Sequence, residues 1–355
     1  MTNTYQSTDF QIKPSAEEAR SIRKRYSFIA LMMLLHMAIY NIVPRLILLI
    51  AGLASGAQVG FSEIMKAGSQ LAGEYDAIYT PVRITVILLS ELIPVFIGCK
   101  CLKIDFKGLF SISEFSAKDL GTSVAFGLGT QSAASMITAV IVIAYELIAG
   151  QPMQQPISTT MNSPFGTVIF WLYACILGPI CEEIFMRGFL LSALRKYGDM
   201  FAAVFSGILF GLFHENLYQA SYAIPMGIFL AAVAIKTKSI VPTIFMHIVC
   251  NTTNMVMVQW ILNEIGTGDV AEITELVMSG NTSYLAPLIV TLLWRMCFIG
   301  VFIAMTVIMF GSEGKWRIRR STPAGRERTW KLMLTSFFLP VLLLLVGIVI
   351  YDLLI

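Results

Sequence analysis

The chain alternates long apolar runs with short polar ones. Nine apolar segments stand out, at about 26–52, 82–99, 120–148, 165–186, 201–216, 218–235, 240–262, 284–311 and 332–355. A helix that crosses a bilayer needs roughly 17–25 residues of this kind, and most of the segments reach that length. The pattern predicts an all-α polytopic membrane protein, a bundle of about 8–9 transmembrane helices with its site in the membrane-embedded core. The fifth and sixth segments are short, which leaves open a re-entrant pair. The organisation that follows is a basic N-terminal tail (1–25), three N-terminal transmembrane helices (26–148), a central core (165–262) and C-terminal helices (284–355) joined by a basic linker (312–331).

Composition supports this division. Hydrophobic residues make up 56% of the 355 and charged residues 13%, where a soluble domain runs near half and a quarter. The first apolar run is too long for the core of a signal peptide and lacks a clear cleavage site, so it reads as a retained span. The six cysteines sit in or at the ends of apolar segments without a zinc-ribbon or secreted-disulfide pattern, as buried structural thiols do.

Charge orients the bundle. With the N-terminus in the cytoplasm and one crossing per segment, the cytoplasmic stretches are 1–25, 100–119, 187–200, 236–239 and 312–331, and they hold 21 of the 25 Lys and Arg residues. The opposite loops hold Lys66, and 263–283 carries Glu264, Asp269, Glu272 and Glu275 without a base. Cytoplasmic loops are the ones enriched in Lys and Arg, so the N-terminus is expected inside. The surroundings are a lipid bilayer, on this reading a bacterial plasma membrane, and nucleic acid is not an expected partner. The basic run 312–331 is read as a topology signal rather than a dedicated lipid site.

Ionisable side chains inside spans are costly, by roughly 3 kcal/mol each, and mark function by default. Here they gather in the middle third: Glu182, Glu183 and Arg187 on the fourth segment, His214 at the end of the fifth, His247 and Asn251 in the seventh. Glu183 and Arg187, Phe210 and His214, and His247 and Asn251 are each i,i+4 neighbours. Glu182 lies about 100° around the helix from Glu183, so the two carboxylates are expected to play different parts. At about 1.5 Å per residue, Glu182 and His214 each lie roughly 24 Å from the turn near Gly198, and His247 and Asn251 roughly 13–20 Å from the Lys236–Lys238 corner. The polar groups can therefore meet inside the membrane, nearer the cytoplasmic face.

A buried carboxylate beside a neutral imidazole can activate water, and an imidazole with a carboxamide offers N–H donors to an oxyanion. These are parts for water-mediated amide hydrolysis. The order Glu182-Glu183-x-x-x-Arg187, Phe210-x-x-x-His214, His247-x-x-x-Asn251 resembles the signature motifs of the CAAX prenyl protease type II family, which includes the bacterial CPBP or Abi proteins. The resemblance covers about 165–260. It implies that Glu182 is the base acting with His214 on water, that His247 and Asn251 form the oxyanion site, and that Glu183–Arg187 is a supporting pair. It implies a peptide or protein substrate, lipidated or carrying an exported leader, and no acyl-enzyme.

Three rival readings stand beside this one. Zinc on Glu182, His214 and His247 would make a metalloendopeptidase, but no His-Glu-x-x-His helix is present, and Asn is a poor zinc ligand. No cofactor is therefore expected, with zinc as the alternative. Intramembrane Glu and His also serve proton relays in transporters, though no inverted repeat is visible. A non-catalytic scaffold or immunity protein would use the same cluster structurally. Outside the cluster, His36 reads as a helix–helix hydrogen-bonding residue, Asn216 and Asn254 as neighbours of the site, and Glu91 and Glu146 as unassigned, with Arg83 or Arg295 as conceivable partners.

Overall fold

The computed structural model describes residues 15–56, 60–113, 115–150, 153, 162–195, 198–265, 279, 282 and 285–311. The linker 312–331 and the segment 332–355 lie outside the described residues. Within them the chain is helical, with no strand. In chain order the helices are α1 (Ala16–Ala54), α2 (Phe61–Glu74), α3 (Asp76–Leu102), α4 (Ala117–Ala149), α5 (Pro164–Leu194), α6 (Asp199–Leu212), α7 (Leu217–Thr237), α8 (Val241–Ile265) and α9 (Leu285–Gly311).

All of these except α2 and α6 are long and apolar enough to cross a membrane, seven in number among the described residues. Their outer faces carry large exposed apolar side chains such as Phe96, Val140, Ile148 and Leu293, the surface that lipid covers in a multi-pass membrane protein. The fifth apolar segment is shorter as a helix than its sequence suggests. α6 ends at Leu212, and its 14 residues span only about 21 Å. His214 lies in the turn beyond it.

Helix starts follow local chemistry. Ser15 and Ser116 form capping boxes with Glu18 and Asp119 at the heads of α1 and α4. Ser163 caps α5 with Pro164 in its first turn, and Asn216 caps α7 by accepting from the Gln219 N–H. α6 and α7 pack as a tight hairpin because Gly207 and Gly227 face each other. A Cβ on Gly207 would come within 2.5 Å of the Ile228 backbone nitrogen.

Two ends of the bundle can be told apart. At one, Arg25 donates to the Ala193 carbonyl at 3.1 Å, Ile240 N–H to the Leu109 carbonyl at 2.9 Å, and Gly188 lies beside Leu109 and Ile240. Basic stretches predicted to share one side of the membrane meet there. At the other end, Asn162 donates to the Gly73 carbonyl at 2.8 Å and the Ser163 N–H to Asp76 at 2.8 Å. α3 and α5 therefore run parallel from this second end. α2, amphipathic and absent from the expected elements, packs against the end of α1 there, where Gly52 meets Ile64 and Gly68 meets Leu48.

Candidate active site

α5 is a continuous helix with two π-helical stretches, Tyr173–Leu177 and Ile184–Leu191, on either side of the α-helical Gly178–Glu183. Such wide turns shift side chains around the axis and free backbone carbonyls, and they recur at functional sites. Here they bracket Glu182 and Glu183. The Ala174 carbonyl, within the first stretch, accepts from Asn251 Nδ2 at 3.1 Å and so ties α8 to α5.

Glu183 is fully buried and turned away from Glu182. Its Oε1 accepts from Arg187 Nη1 at 2.8 Å, the i,i+4 pair that the spacing suggested. The same oxygen lies 3.0 Å from His247 Nδ1, a contact across 64 residues that the sequence did not reveal. Arg187, also buried, donates through Nη2 to the Gly227 carbonyl at 3.1 Å and sits over the Phe210 ring, 4.7 Å from its centre. A buried ion pair is tolerated when further hydrogen bonds support it in this way, although Glu183 Oε2 and Arg187 Nε have no hydrogen-bond partner among the described residues. It links α5, α6, α7 and α8.

Because a carboxylate oxygen accepts, the contact with Glu183 puts a proton on His247 Nδ1 and aims Nε2 into the bundle. Nε2 stands 3.6 Å from Glu182 Oε2, too far for a hydrogen bond and close enough to share one reacting group. Arg187, Glu183, His247 and Glu182 thus form a line. His214 is fixed by the same logic: its Nδ1 lies 2.9 Å from the Phe210 carbonyl, which only accepts, so Nδ1 bears the proton and Nε2 holds the lone pair.

The turn that carries His214 is clamped from both sides. Asn216 Nδ2 donates to the His214 carbonyl at 2.6 Å. Glu215 adopts φ of 55°, a left-handed conformation uncommon outside glycine, and its carboxylate accepts from Asn41 Nδ2 on α1 at 2.7 Å. Arg45 donates to the Asn41 side chain at 2.9 Å. Asn216 is thus a neighbour of the site, as its position suggested, while Glu215, Asn41 and Arg45 were not foreseen.

Glu182, His214, His247 and Asn251 all line one cavity of about 750 Å³. It runs from these four to Asp76, Gly73 and Asn162, so it reaches the end of the bundle that carries α2. His36, Tyr40, Arg83, Glu91 and Tyr173 line it too. His36 is the helix–helix residue expected of it, 3.2 Å from Ser90 on α3 and stacked among Tyr40, Phe185 and Phe213. Arg295 lies 3.5 Å from Asn254, and Glu91 Oε2 has no hydrogen-bond partner among the described residues. A helical stripe of cavity-lining positions on α3 (Asp76, Thr80, Arg83, Ile87, Glu91) was present in the sequence as a signal for this wall.

Among the described residues, no group of three His, Cys, Asp or Glu side chains is arranged to hold a metal ion. Of the described cysteines, Cys250, buried on α8, lines this cavity.

Residues 164–253 match the family model "Type II CAAX prenyl endopeptidase Rce1-like". Among curated proteins, the Bacillus subtilis (strain 168) protein named "Putative membrane peptidase YdiL" is 34% identical over 87 residues, which is 24% of this chain and 36% of that protein. The chain therefore matches about a third of the length of that relative. No solved structure matches the chain.

Proposed function

We propose, from the match of residues 164–253 to the type II CAAX prenyl endopeptidase Rce1-like model, that the protein is an intramembrane endopeptidase that uses Glu182 and His214 to activate water. The observation that carries this reading is the convergence of the four motif side chains on one cavity, with His247 held by Glu183 and aimed at Glu182.

In the proposed reaction, a water between Glu182 and His214 gives up its proton as its oxygen attacks the scissile carbonyl carbon. The Glu182 carboxylate takes that proton, and the His214 Nε2 lone pair orients the water by accepting a hydrogen bond from its other O–H. His247 and the second amide hydrogen of Asn251 stabilise the oxyanion. With a carboxylate on either side, an imidazolium at His247 is compensated, and its Nε2–H is not consumed by the 3.6 Å contact with Glu182. Glu183 and Arg187 hold this arrangement rigid. Water as nucleophile means that serine- and cysteine-directed traps leave the enzyme active.

The substrate is a peptide or protein segment, and the cavity volume of about 750 Å³ falls in the range of pockets that bury a drug-sized ligand. The charge asymmetry supports a cytoplasmic N-terminus and a reaction centre in the cytoplasmic half. His247 lies about 9 Å along α8 from its basic-side start, and Glu182 about 18 Å along α5 from Leu194.

Comparative peptidomics of membranes from cells expressing the wild type or Glu182→Gln tests the proposal. Uncut precursors should accumulate with Glu182→Gln and disappear with the wild type. Identical peptide sets, or proton-coupled uptake that survives loss of any peptidase activity, would return the cluster to a structural or transport role.

A further inference from the structure

Among the described residues, Glu91 is the one carboxyl group of the catalytic cavity's inner wall that the reaction above leaves unused. It is 7% exposed, lines the cavity with Glu182, and its Oε2 has no hydrogen-bond partner among the described residues. Its neighbours do not neutralise it. The Ser90 hydroxyl is engaged by the Ile87 carbonyl at 2.6 Å and by His36 at 3.2 Å. Arg83 is eight residues earlier on α3, about 12 Å along the axis. The other polar groups on this wall are Tyr40, Tyr173 and His36.

Two contacts place Glu91 level with Glu182. α3 and α5 run parallel from the Asp76–Ser163 contact, and further along them Gly98 lies against Phe189. A Cβ on Gly98 would be 2.3 Å from the Phe189 ring, so these positions are in direct register. Glu91 precedes Gly98 by seven residues and Glu182 precedes Phe189 by seven, so Glu91 lies roughly 10 Å back along α3 and Glu182 somewhat less far back along α5, whose intervening turns are π-helical. Both side chains line the same cavity.

His247 stands beside Glu182 and no cation stands beside Glu91, so of two carboxyls placed this way in an interior of low dielectric Glu182 is the ionised one and Glu91 keeps the proton. They carry one proton between them, as paired carboxyl groups in other hydrolytic sites do. We propose that Glu91 is the acid of the reaction, donating the shared proton to the leaving amine. The inference rests on the peptidase reading above. Water loses a proton to Glu182 as its oxygen bonds to the carbonyl carbon. The C–N bond then breaks, and its electron pair takes the proton from Glu91. The proton held by Glu182 passes to the Glu91 carboxylate, which restores the pair. One water and one amide are consumed, and one acid and one amine are released.

Glu91→Gln tests this, because Gln keeps the shape and the hydrogen-bonding capacity of a neutral carboxyl but has no proton to transfer. The assay uses the full-length protein in detergent and a fluorescence-quenched peptide spanning a cleavage site mapped by the peptidomic comparison. Glu182→Gln is run in parallel. Glu91→Gln should lower kcat about 100-fold or more, in the range of one acid–base group, with KM and melting temperature unchanged, and Glu91→Asp should recover part of the loss. Infrared spectra need no substrate: the deuterium-sensitive carbonyl band of a protonated carboxyl should disappear in Glu91→Gln. Wild-type kcat in Glu91→Gln beside an inactive Glu182→Gln would overturn the role of Glu91 alone. Full activity in Glu182→Gln would overturn the peptidase mechanism on which it rests.

Discussion

His247 Nδ1 and Arg187 Nη1 converge on the same oxygen of Glu183, at 3.0 and 2.8 Å, inside a fully buried shell. One carboxylate thereby compensates a guanidinium and sets the orientation of an imidazole that reaches the cavity. Removing it does two separable things. Glu183→Leu leaves Arg187 as an uncompensated buried charge, a loss of about 3–5 kcal/mol, and leaves His247 Nδ1 without its acceptor. The melting temperature in detergent should fall sharply. In the double variant Glu183→Leu, Arg187→Met the buried charge is gone, so stability should return while cleavage stays lost. Recovery of both together would mean that Glu183 does nothing for His247.

The His214 turn gives a milder prediction. Asn216 both caps α7 and donates to the His214 carbonyl at 2.6 Å. Asn216→Ala removes a cap, at a loss of about 1 kcal/mol, and loosens the imidazole beside the reacting water. A small drop in melting temperature with a fall in kcat of about tenfold is expected, and KM should hold. Asn216→Asp keeps the cap but not the donor, so its kcat should fall while its stability does not. Equal kinetics in Asn216→Asp and wild type would remove Asn216 from the positioning of His214.

The sequence carried the site further than it carried the fold around it. Glu183 and Arg187, and Phe210 and His214, are i,i+4 pairs, so helical periodicity alone joined them, and basic residues marked the corners that Arg25–Ala193 and Ile240–Leu109 bring together. The Glu183–His247 contact was hidden because helices 64 residues apart choose their facing side through packing, which apolar composition does not encode. The π-helical stretches of α5 were hidden for a related reason: the same Ile, Phe and Leu suit α and π turns alike. Glu91 was visible as a buried carboxyl, yet its partner depends on the register of α3 against α5. That register is set by Gly98 and Phe189, two residues with no chemistry of their own.

Gly98 therefore offers a test of how the α3–α5 contact supports the site. A Cβ there meets three Phe189 ring carbons at 2.3–2.8 Å, and the ring is fully buried among Phe185, Leu190 and Val95. Overpacking of this kind destabilises by about 1–3 kcal/mol. Gly98→Ala should lower the melting temperature and, by moving α3 from α5, reduce kcat. Pairing it with Phe189→Leu supplies room for the methyl group and should recover most of both. Additive losses in the double variant would show that the two residues do not share this contact.

The nucleophile makes the last prediction. Cys181 adjoins Glu182 in sequence and Cys250 lines the cavity, so a thiol mechanism is the chemical rival closest to hand. Both are buried, Cys250 in the apolar cluster with Leu230 and Met246, and a thiol buried in apolar surroundings is structural rather than reactive. Cys181 and Cys250 replaced together by Ala should leave kcat within about a few-fold of wild type, the loss coming from packing and appearing equally in the melting temperature. Iodoacetamide and fluorophosphonates should leave no covalent mark that tracks with inhibition. Cleavage in water enriched with 18O should place one labelled oxygen in the new carboxyl group in a single turnover. Stoichiometric labelling of Cys250 with matching loss of activity would replace water by sulfur as the attacking atom.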